Sequence, residues 1–235
     1  MKNCILILIV SVLFVFGCSS QPMFDVLIDE NDVDYYQGRQ VISRDDGHVK
    51  TMVNFERQDG NCFVYYLYVH NISEETFIVQ PEQVYMEVTD FKTSDTAKDV
   101  VIYSYAVDPE QEIDAIENDM KDRKTEHTVG TATNCLFGLF SVVHDVSNDD
   151  EDADIGYDWA GNLAEEQADY EYDMDEMNAS KEFWANNVLR TTTLHPDEKI
   201  GGLIYIPFTP QAQEFNLVIP AMENEHVYSF KQIKK

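Results

Sequence analysis

The sequence predicts a mainly β protein with an α-helical insertion, an antiparallel β-sandwich that a helical segment interrupts. Apolar and polar residues alternate with a period of two from about residue 40 to 107 and again from about 189, and turn residues separate the runs. Between these blocks, from about 108 to 188, apolar residues recur at helical spacing instead. Each strand block is too small to bury a core alone, so we expect both to share one sheet system.

The amino-terminal strands follow from the alternation. We assign residues 18–39 to a tether and first strand, and residues 40–235 to a single sandwich domain. Val49, Thr51, Val53 and Phe55 share one face of a strand, and the turn residues 58–61 then predict a hairpin. Residues 62–70 are apolar on both alternating sets, so this strand is predicted to be buried on both faces.

Three helices are predicted inside the insertion. Asp108 can cap the first, Pro109 suits its first position and Gln111 completes a capping box. The second helix is expected at 128–146 and the third from about 158 towards 188. Strand character returns after the third helix, with a turn at residues 195–198.

The composition excludes some functions. The 235 residues include 16 Lys and Arg against 44 Asp and Glu, which gives a formal charge of −28. Nucleic-acid binding needs a basic surface, so we do not expect it. The chain has no GxSxG, HExxH, P-loop or GxGxxG motif. We therefore expect neither an enzyme nor a bound cofactor.

The amino-terminal segment predicts where the protein is located in the cell. Lys2 precedes an apolar run from Ile5 to Phe16, and the run ends at Gly17-Cys18. This segment resembles the signal peptide of bacterial lipoproteins, in which a small residue precedes the cysteine that is acylated. The resemblance implies removal of residues 1–17 and a diacylglyceryl and acyl lipid on Cys18. An ordinary secretory signal or an uncleaved anchor is the alternative.

The resemblance also suggests a location in the bacterial cell envelope. Ser19 stands where an Asp would suggest retention in the inner membrane of such lipoproteins, so we expect the outer membrane. Residues 21–24 contain no acidic cluster of the kind that some lipoproteins use for export to the surface. The periplasmic face is therefore favoured weakly over the cell surface.

A second resemblance concerns residues 189–207, LRTTTLHPDEKIGGLIYIP. This stretch is similar to a segment of immunoglobulin-like β-sandwiches in bacterial extracytoplasmic proteins, although Asp197 stands where such segments usually have glycine. With the signal, the chain resembles uncharacterised bacterial lipoproteins that carry an immunoglobulin-like domain. That family implies no established activity.

The insertion concentrates acidic residues. Between Lys124 and Lys181 the chain has no Lys or Arg and fifteen acidic residues. Asp150, Asp152 and Asp154 alternate within the densest part and can supply oxygen ligands to calcium or another hard cation. A calcium loop would need other residues than Ile155 and Gly161 at its sixth and twelfth positions, so a solvated acidic loop is the alternative.

Two cysteines remain after Cys4 is removed and Cys18 is acylated. Cys62 and Cys135 can pair in an oxidising periplasm, and the alternative is two buried free thiols.

Together these observations predict a lipid-anchored envelope protein with a binding or structural role. The anchor would hold it to the membrane, and another envelope protein or a basic partner would be its ligand. The alternative is a calcium- or cation-dependent binding module that uses the acidic loop at 149–158.

Overall fold

The computed structural model describes residues 22–28, 33–36, 38–91, 101–147 and 155–234, without the side chains of 89–91, 129–147 and 155–163. The described chain contains strands and two helices. The strands are β1 (Phe24–Ile28), β2 (Asp34–Tyr36), β3 (Arg39–Asp45), β4 (Val49–Asp59), β5 (Cys62–Asn71), β6 (Phe77–Val79), β7 (Tyr85–Phe91), β8 (Ile102–Tyr105), β9 (Thr192–Leu194), β10 (Lys199–Pro207), β11 (Ala212–Ala221) and β12 (Asn224–Lys234). The helices are α1 (Pro109–Ser147) and α2 (Ile155–Asn187), and Pro81–Gln83 form one 3-10 turn.

The strands form two five-stranded antiparallel sheets. The first sheet has the order β1-β12-β11-β7-β8, and the second has the order β10-β5-β4-β3-β2. A small sheet pairs β6 with β9. Both large sheets combine strands from before and after the helices, because β11 and β12 lie between β1 and β7 while β10 pairs with β5. The predicted sandwich with a helical insertion is therefore confirmed.

The core lies between the two large sheets. Inward-facing residues of the second sheet include Val49, Val53, Phe63 and Leu67, and those of the first sheet include Met86, Phe215, Leu217 and Phe230. Aromatic rings join the two sets, since Phe63 stacks on Phe208 at 4.3 Å between ring centroids and lies 6.0 Å from Phe215. Burial of these faces stabilises the sandwich by removing apolar area from water.

The hairpin predicted at residues 58–61 is present. Asp59 pairs with Cys62, so Gly60 and Asn61 form the turn between β4 and β5. Gly60 has a φ of 56°, a left-handed conformation that glycine adopts without the steric cost of a side chain.

The burial predicted for the next strand holds only in part. Phe63, Val64 and Tyr65 are buried, so the first part of β5 is covered on both faces. Tyr66 is 38% exposed and Tyr68 is half-buried, so the prediction was wrong further along the strand. When both alternating sets of side chains in a strand are apolar, the sequence does not show whether another element covers the outer face. Exposed aromatic rings on that face give the same pattern.

The described residues of the insertion form two helices instead of the predicted three. Asp108 caps α1 as predicted, because its Oδ1 accepts a hydrogen bond from the Glu110 N–H at 2.9 Å and its Oδ2 accepts one from the Gln111 amide at 2.9 Å. The two helices predicted at its start and at 128–146 form one helix of 39 residues. No proline interrupts them, and glycine within a helix costs only about 1 kcal/mol.

Ion pairs join α1 to α2 and to Arg190, which follows α2. Arg190, just after α2, binds Glu110 through two nitrogen atoms at 2.6 and 2.7 Å. Further along the helices, Lys181 Nζ lies 2.7 Å from Glu117 Oε1, and Arg123 lies 2.7 Å from Asp173 Oδ2. These exposed or half-exposed pairs fix the register of the helical hairpin more than they stabilise it. Among the described residues, neither helix has an apolar stretch that could cross a membrane.

Candidate functional site

The predicted lipid and cation sites lie outside the described residues. Cys18 precedes the described part of the chain, and Asp150, Asp152 and Asp154 fall in the gap between α1 and α2. Among the described side chains, no three His, Cys, Asp or Glu residues lie close enough together to hold a metal ion. The lipid anchor and the cation loop therefore stay predictions.

Cys62 carries a free thiol at the start of β5. Burial and the nearby negative charges of Asp59 and Glu112 raise the pKa of this thiol. Glu112 lies in the first turn of α1, and Cys135 follows 23 residues later in the same helix, about 35 Å further along its axis. The side chain of Cys135 is not described, so the disulfide stays a prediction, which the length of helix between the two positions does not favour.

The outer face of the second sheet divides into a covered and an open part. Val64 and Tyr205 lie on the covered part, where they pack against Phe183, Trp184 and Val188 at the end of α2. The Trp184 and Tyr205 rings lie 5.1 Å apart. The Tyr205 hydroxyl accepts a hydrogen bond from Arg57 at 3.0 Å. The end of the helical hairpin therefore closes this part of the sheet.

Four tyrosines and a methionine occupy the open part. We call this surface, formed by Tyr35, Tyr36, Met52, Tyr66 and Tyr68, the tyrosine face. Its side chains line a groove of about 1060 Å³. Met52 and Tyr68 are direct cross-strand neighbours, and β2 adds Tyr35 and Tyr36, which are 71% and 57% exposed. Aromatic rings therefore border the groove from two separate strands of the sheet.

Polar side chains lie in the floor and at both ends of the groove. Asn54 is buried in the floor and donates to Glu56 Oε1 at 2.7 Å, while Arg39 forms an ion pair with the same carboxylate. At the other end, Lys50 on β4 and His70 on β5 are direct cross-strand neighbours. His70 Nε2 lies 3.0 Å from Asp197 Oδ1. The groove therefore offers hydrogen-bonding groups between its apolar rings.

A glycine of the edge strand makes room for one of the tyrosines. Gly201 lies opposite Tyr68 on β10, and a Cβ atom at Gly201 would lie 2.6 Å from the Tyr66 hydroxyl oxygen. The Tyr66 ring therefore leans across β10 over the missing side chain. The absence of a side chain at Gly201 sets the position of this ring on the tyrosine face.

A second polar cluster lies inside the sandwich. Thr51 Oγ1 lies 2.5 Å from both His226 Nδ1 and the Tyr228 hydroxyl oxygen, and His226 Nε2 lies 3.5 Å from Asp46 Oδ2. A hydroxyl, an imidazole and a carboxylate in series are also the parts of a hydrolytic triad. Thr51 and Tyr228 have no exposed surface, however, so a substrate cannot reach the hydroxyl groups. The cluster is suited to joining the two sheets.

Asp46 is held ionised in this cluster. Burial opposes its charge, but the N–H groups of Val49 and His48, the Asn224 amide and the nearby His226 together lower the pKa of Asp46 well below its usual value. The hydrogen bonds from Val49 and Asn224 are both 2.8 Å long. The carboxylate thus ties the turn between β3 and β4 to the turn between β11 and β12.

Sequence reasoning missed the tyrosine face. Tyr66 and Tyr68 were assigned to a strand buried on both faces, and Tyr35 and Tyr36 to the tether region. Two tyrosines at a spacing of two residues, in a strand whose other set is fully apolar, were the available signal. Because tyrosine pairs an apolar ring with a polar hydroxyl, it suits a half-exposed surface better than a core position.

The comparisons with known proteins add no relative. The chain matches no protein-family model, no curated protein sequence and no solved structure. The immunoglobulin-like resemblance of residues 189–207 therefore stays a prediction.

Proposed function

We propose that this chain is a non-enzymatic, lipid-anchored envelope protein that binds a protein partner on its tyrosine face. The anchor is the predicted lipid on Cys18, and the location is the outer membrane, with its periplasmic side favoured. The observation that carries the binding role is an open sheet face on which exposed tyrosines surround hydrogen-bonding groups.

The composition of the tyrosine face fits a protein partner. Tyrosine, methionine and arginine are enriched at the centres of protein interfaces, and this groove combines four tyrosines with Met52 and Arg39. Tyrosine also loses little conformational entropy on binding, because it has only two rotatable side-chain bonds. The Arg39–Glu56 pair supplies hydrogen bonds without adding net charge, in contrast to the acidic helices.

A non-enzymatic role is supported by the burial of the cluster that most resembles catalytic machinery. Thr51 and Tyr228 are completely enclosed, and their partner His226 is only 5% exposed. The calcium- or cation-dependent module remains the alternative. It would use residues 149–158, which the structure describes only from Ile155 onwards.

Photo-crosslinking at matched tyrosines tests the binding surface. A photoreactive phenylalanine analogue is placed, one site at a time, at Tyr36 on the tyrosine face, at Tyr103 on the other sheet or at Tyr172 on α2. These side chains are 57%, 52% and 69% exposed, so all three can reach a partner. Intact cells are irradiated, and the adducts are identified by mass spectrometry.

We expect one discrete protein adduct from the Tyr36 position, which Tyr66→Ala and Tyr68→Ala weaken. Loss of an exposed interface tyrosine typically costs about 1–2 kcal/mol of binding free energy, or roughly tenfold in affinity. An adduct from Tyr172 instead would move the binding surface to the acidic helices. Equal adducts from all three positions would contradict a specific surface.

A further inference from the structure

The described chain begins at one end of the sandwich, beside the turn at Gly60. The Gln58 amide donates to the Pro22 carbonyl at 3.3 Å and to the Gly60 carbonyl at 3.0 Å. The Gln58 side-chain oxygen accepts a hydrogen bond from the Phe24 N–H at 2.7 Å. Pro22 is therefore fixed to the turn between β4 and β5. We call this end of the sandwich, formed by Pro22, Gly60, Phe208 and the end of β12, the tether end.

Ring contacts and hydrogen bonds connect the strands and loops of the tether end. The Phe24 ring packs edge-on against Phe208 at 5.3 Å, and the Phe208 N–H donates to the Asn61 carbonyl at 3.0 Å. The Gln232 amide of β12 donates to the Thr209 and Pro210 carbonyls at 3.3 and 3.2 Å. These contacts join the first strand, the Gly60 turn, the loop after β10 and the last strand.

Covalent geometry limits the distance between the tether end and the predicted lipid anchor. Only three residues separate Cys18 from Pro22, and the four steps from one Cα atom to the next span about 14 Å in a fully extended chain. This step rests on the proposed acylation of Cys18. With the lipid in a bilayer, Pro22 and the Gly60 turn attached to it must stay near the headgroup layer.

The tether end carries basic as well as acidic side chains. Arg57 lies 3.1 Å from Asp59, and Lys231 lies 3.4 Å from Glu214, so these two acidic groups have basic neighbours. Exposed Lys234 lies opposite Phe24 at the end of β12, and Lys235 follows it in the sequence. Asp25 beside Phe24 and Glu112 near Cys62 are also acidic, so this end carries charges of both signs.

We infer that the tether end rests on the headgroup layer of a phospholipid membrane, where Lys234 contacts anionic headgroups. Lysines beside a lipid anchor are attracted to anionic lipid, whereas the acidic remainder of the protein is repelled by it. The strands then rise from the membrane, and the turn at Met222–Glu223 lies at the far end, about 35 Å away. The groove of the tyrosine face opens sideways on the standing sheet.

The orientation is tested on vesicles to which the anchor is attached chemically. The chain from residue 18 onwards, with Cys62→Ser and Cys135→Ser, is coupled through Cys18 to a maleimide lipid. A genetically encoded fluorescent amino acid replaces Asn61 at the tether end or Glu223 at the far end. Nitroxide labels on the lipid headgroups quench only fluorophores close to the membrane. Because the coupling replaces biological acylation, a failure of the proposed lipidation in cells cannot affect this result.

On vesicles of phosphatidylcholine with phosphatidylglycerol, we expect quenching to be several times stronger at position 61 than at position 223. Lys234→Glu should reduce this ratio, because the substituted end is repelled by the anionic lipid. Equal quenching at both positions would overturn the upright orientation. A ratio that Lys234→Glu leaves unchanged would overturn the contact with anionic headgroups.

Discussion

Replacing Gly202 with alanine should lower the free energy of unfolding by about 2 kcal/mol, the typical cost of overpacking a core. The new Cβ would lie 2.8 Å from the backbone nitrogen of Leu189 and 2.9 Å from its Cα. Leu189 cannot move away easily, because its N–H donates to the Leu203 carbonyl at 2.8 Å and its side chain is buried. This is the point where the chain re-enters the sandwich after α2.

The neighbouring Gly201→Ala substitution is the matched control. A Cβ there meets the end of the Tyr66 side chain, which can turn away, instead of the backbone. We expect Gly201→Ala to change the free energy of unfolding by less than about 0.5 kcal/mol, as for most surface changes. Urea unfolding followed by circular dichroism measures both. Equal losses of stability for the two variants would contradict the backbone clash assigned to Gly202.

Asn71→Ala should be at least as damaging, with a loss of about 3 kcal/mol in the free energy of unfolding. The Asn71 amide donates to the Glu75 carbonyl at 2.7 Å and to the Leu194 carbonyl at 3.1 Å. Its side-chain oxygen accepts hydrogen bonds from the Ser73 N–H at 3.0 Å and the Ser73 hydroxyl at 2.7 Å. Asn71 has no exposed surface, and the variant removes the donor to the carbonyl of buried Leu194.

Asn71→Asp separates the two roles of this side chain. It keeps the acceptor for Ser73 but removes both donors and adds a buried charge, so a similar loss is expected. Asn187→Ala on the exposed end of α2 is the control, since its amide makes one hydrogen bond of 3.3 Å to the Phe183 carbonyl. Thermal unfolding compares the three variants. A melting temperature for Asn71→Ala close to that of Asn187→Ala would show that Asn71 does not hold this corner together.

The period of the apolar residues was enough to predict the strands. Val49, Thr51 and Val53 form the inner face of β4 because side chains alternate across a strand, a rule that needs no tertiary information. The start of α1 could be predicted from local sequence in the same way. The Asp108 carboxylate accepts hydrogen bonds from the Glu110 N–H and the Gln111 amide, which both lie within one turn. The requirement for a sufficient core then predicted that strands on both sides of the insertion share sheets.

Features that depend on distant residues could not be predicted in this way. Buried Asn71 donates a hydrogen bond to the carbonyl of Leu194, which lies 123 positions further along the chain. The space beside Gly202 is restricted by Leu189, which approaches it only after α2 has returned the chain to β10. The tyrosine face was missed for the same reason, since the helices cover Val64 on the outer face of β5 and leave Tyr66 open.

The claim on which the proposed function and the membrane orientation both depend is acylation of Cys18. The most direct measurement is mass spectrometry of the amino-terminal peptide of the protein extracted from a bacterial membrane fraction. The account predicts a peptide that begins at Cys18 and carries the added mass of a diacylglyceryl group and an amide-linked acyl chain, with no such mass in Cys18→Ser. An unmodified Cys18, or a mature protein that begins at another residue, would contradict it.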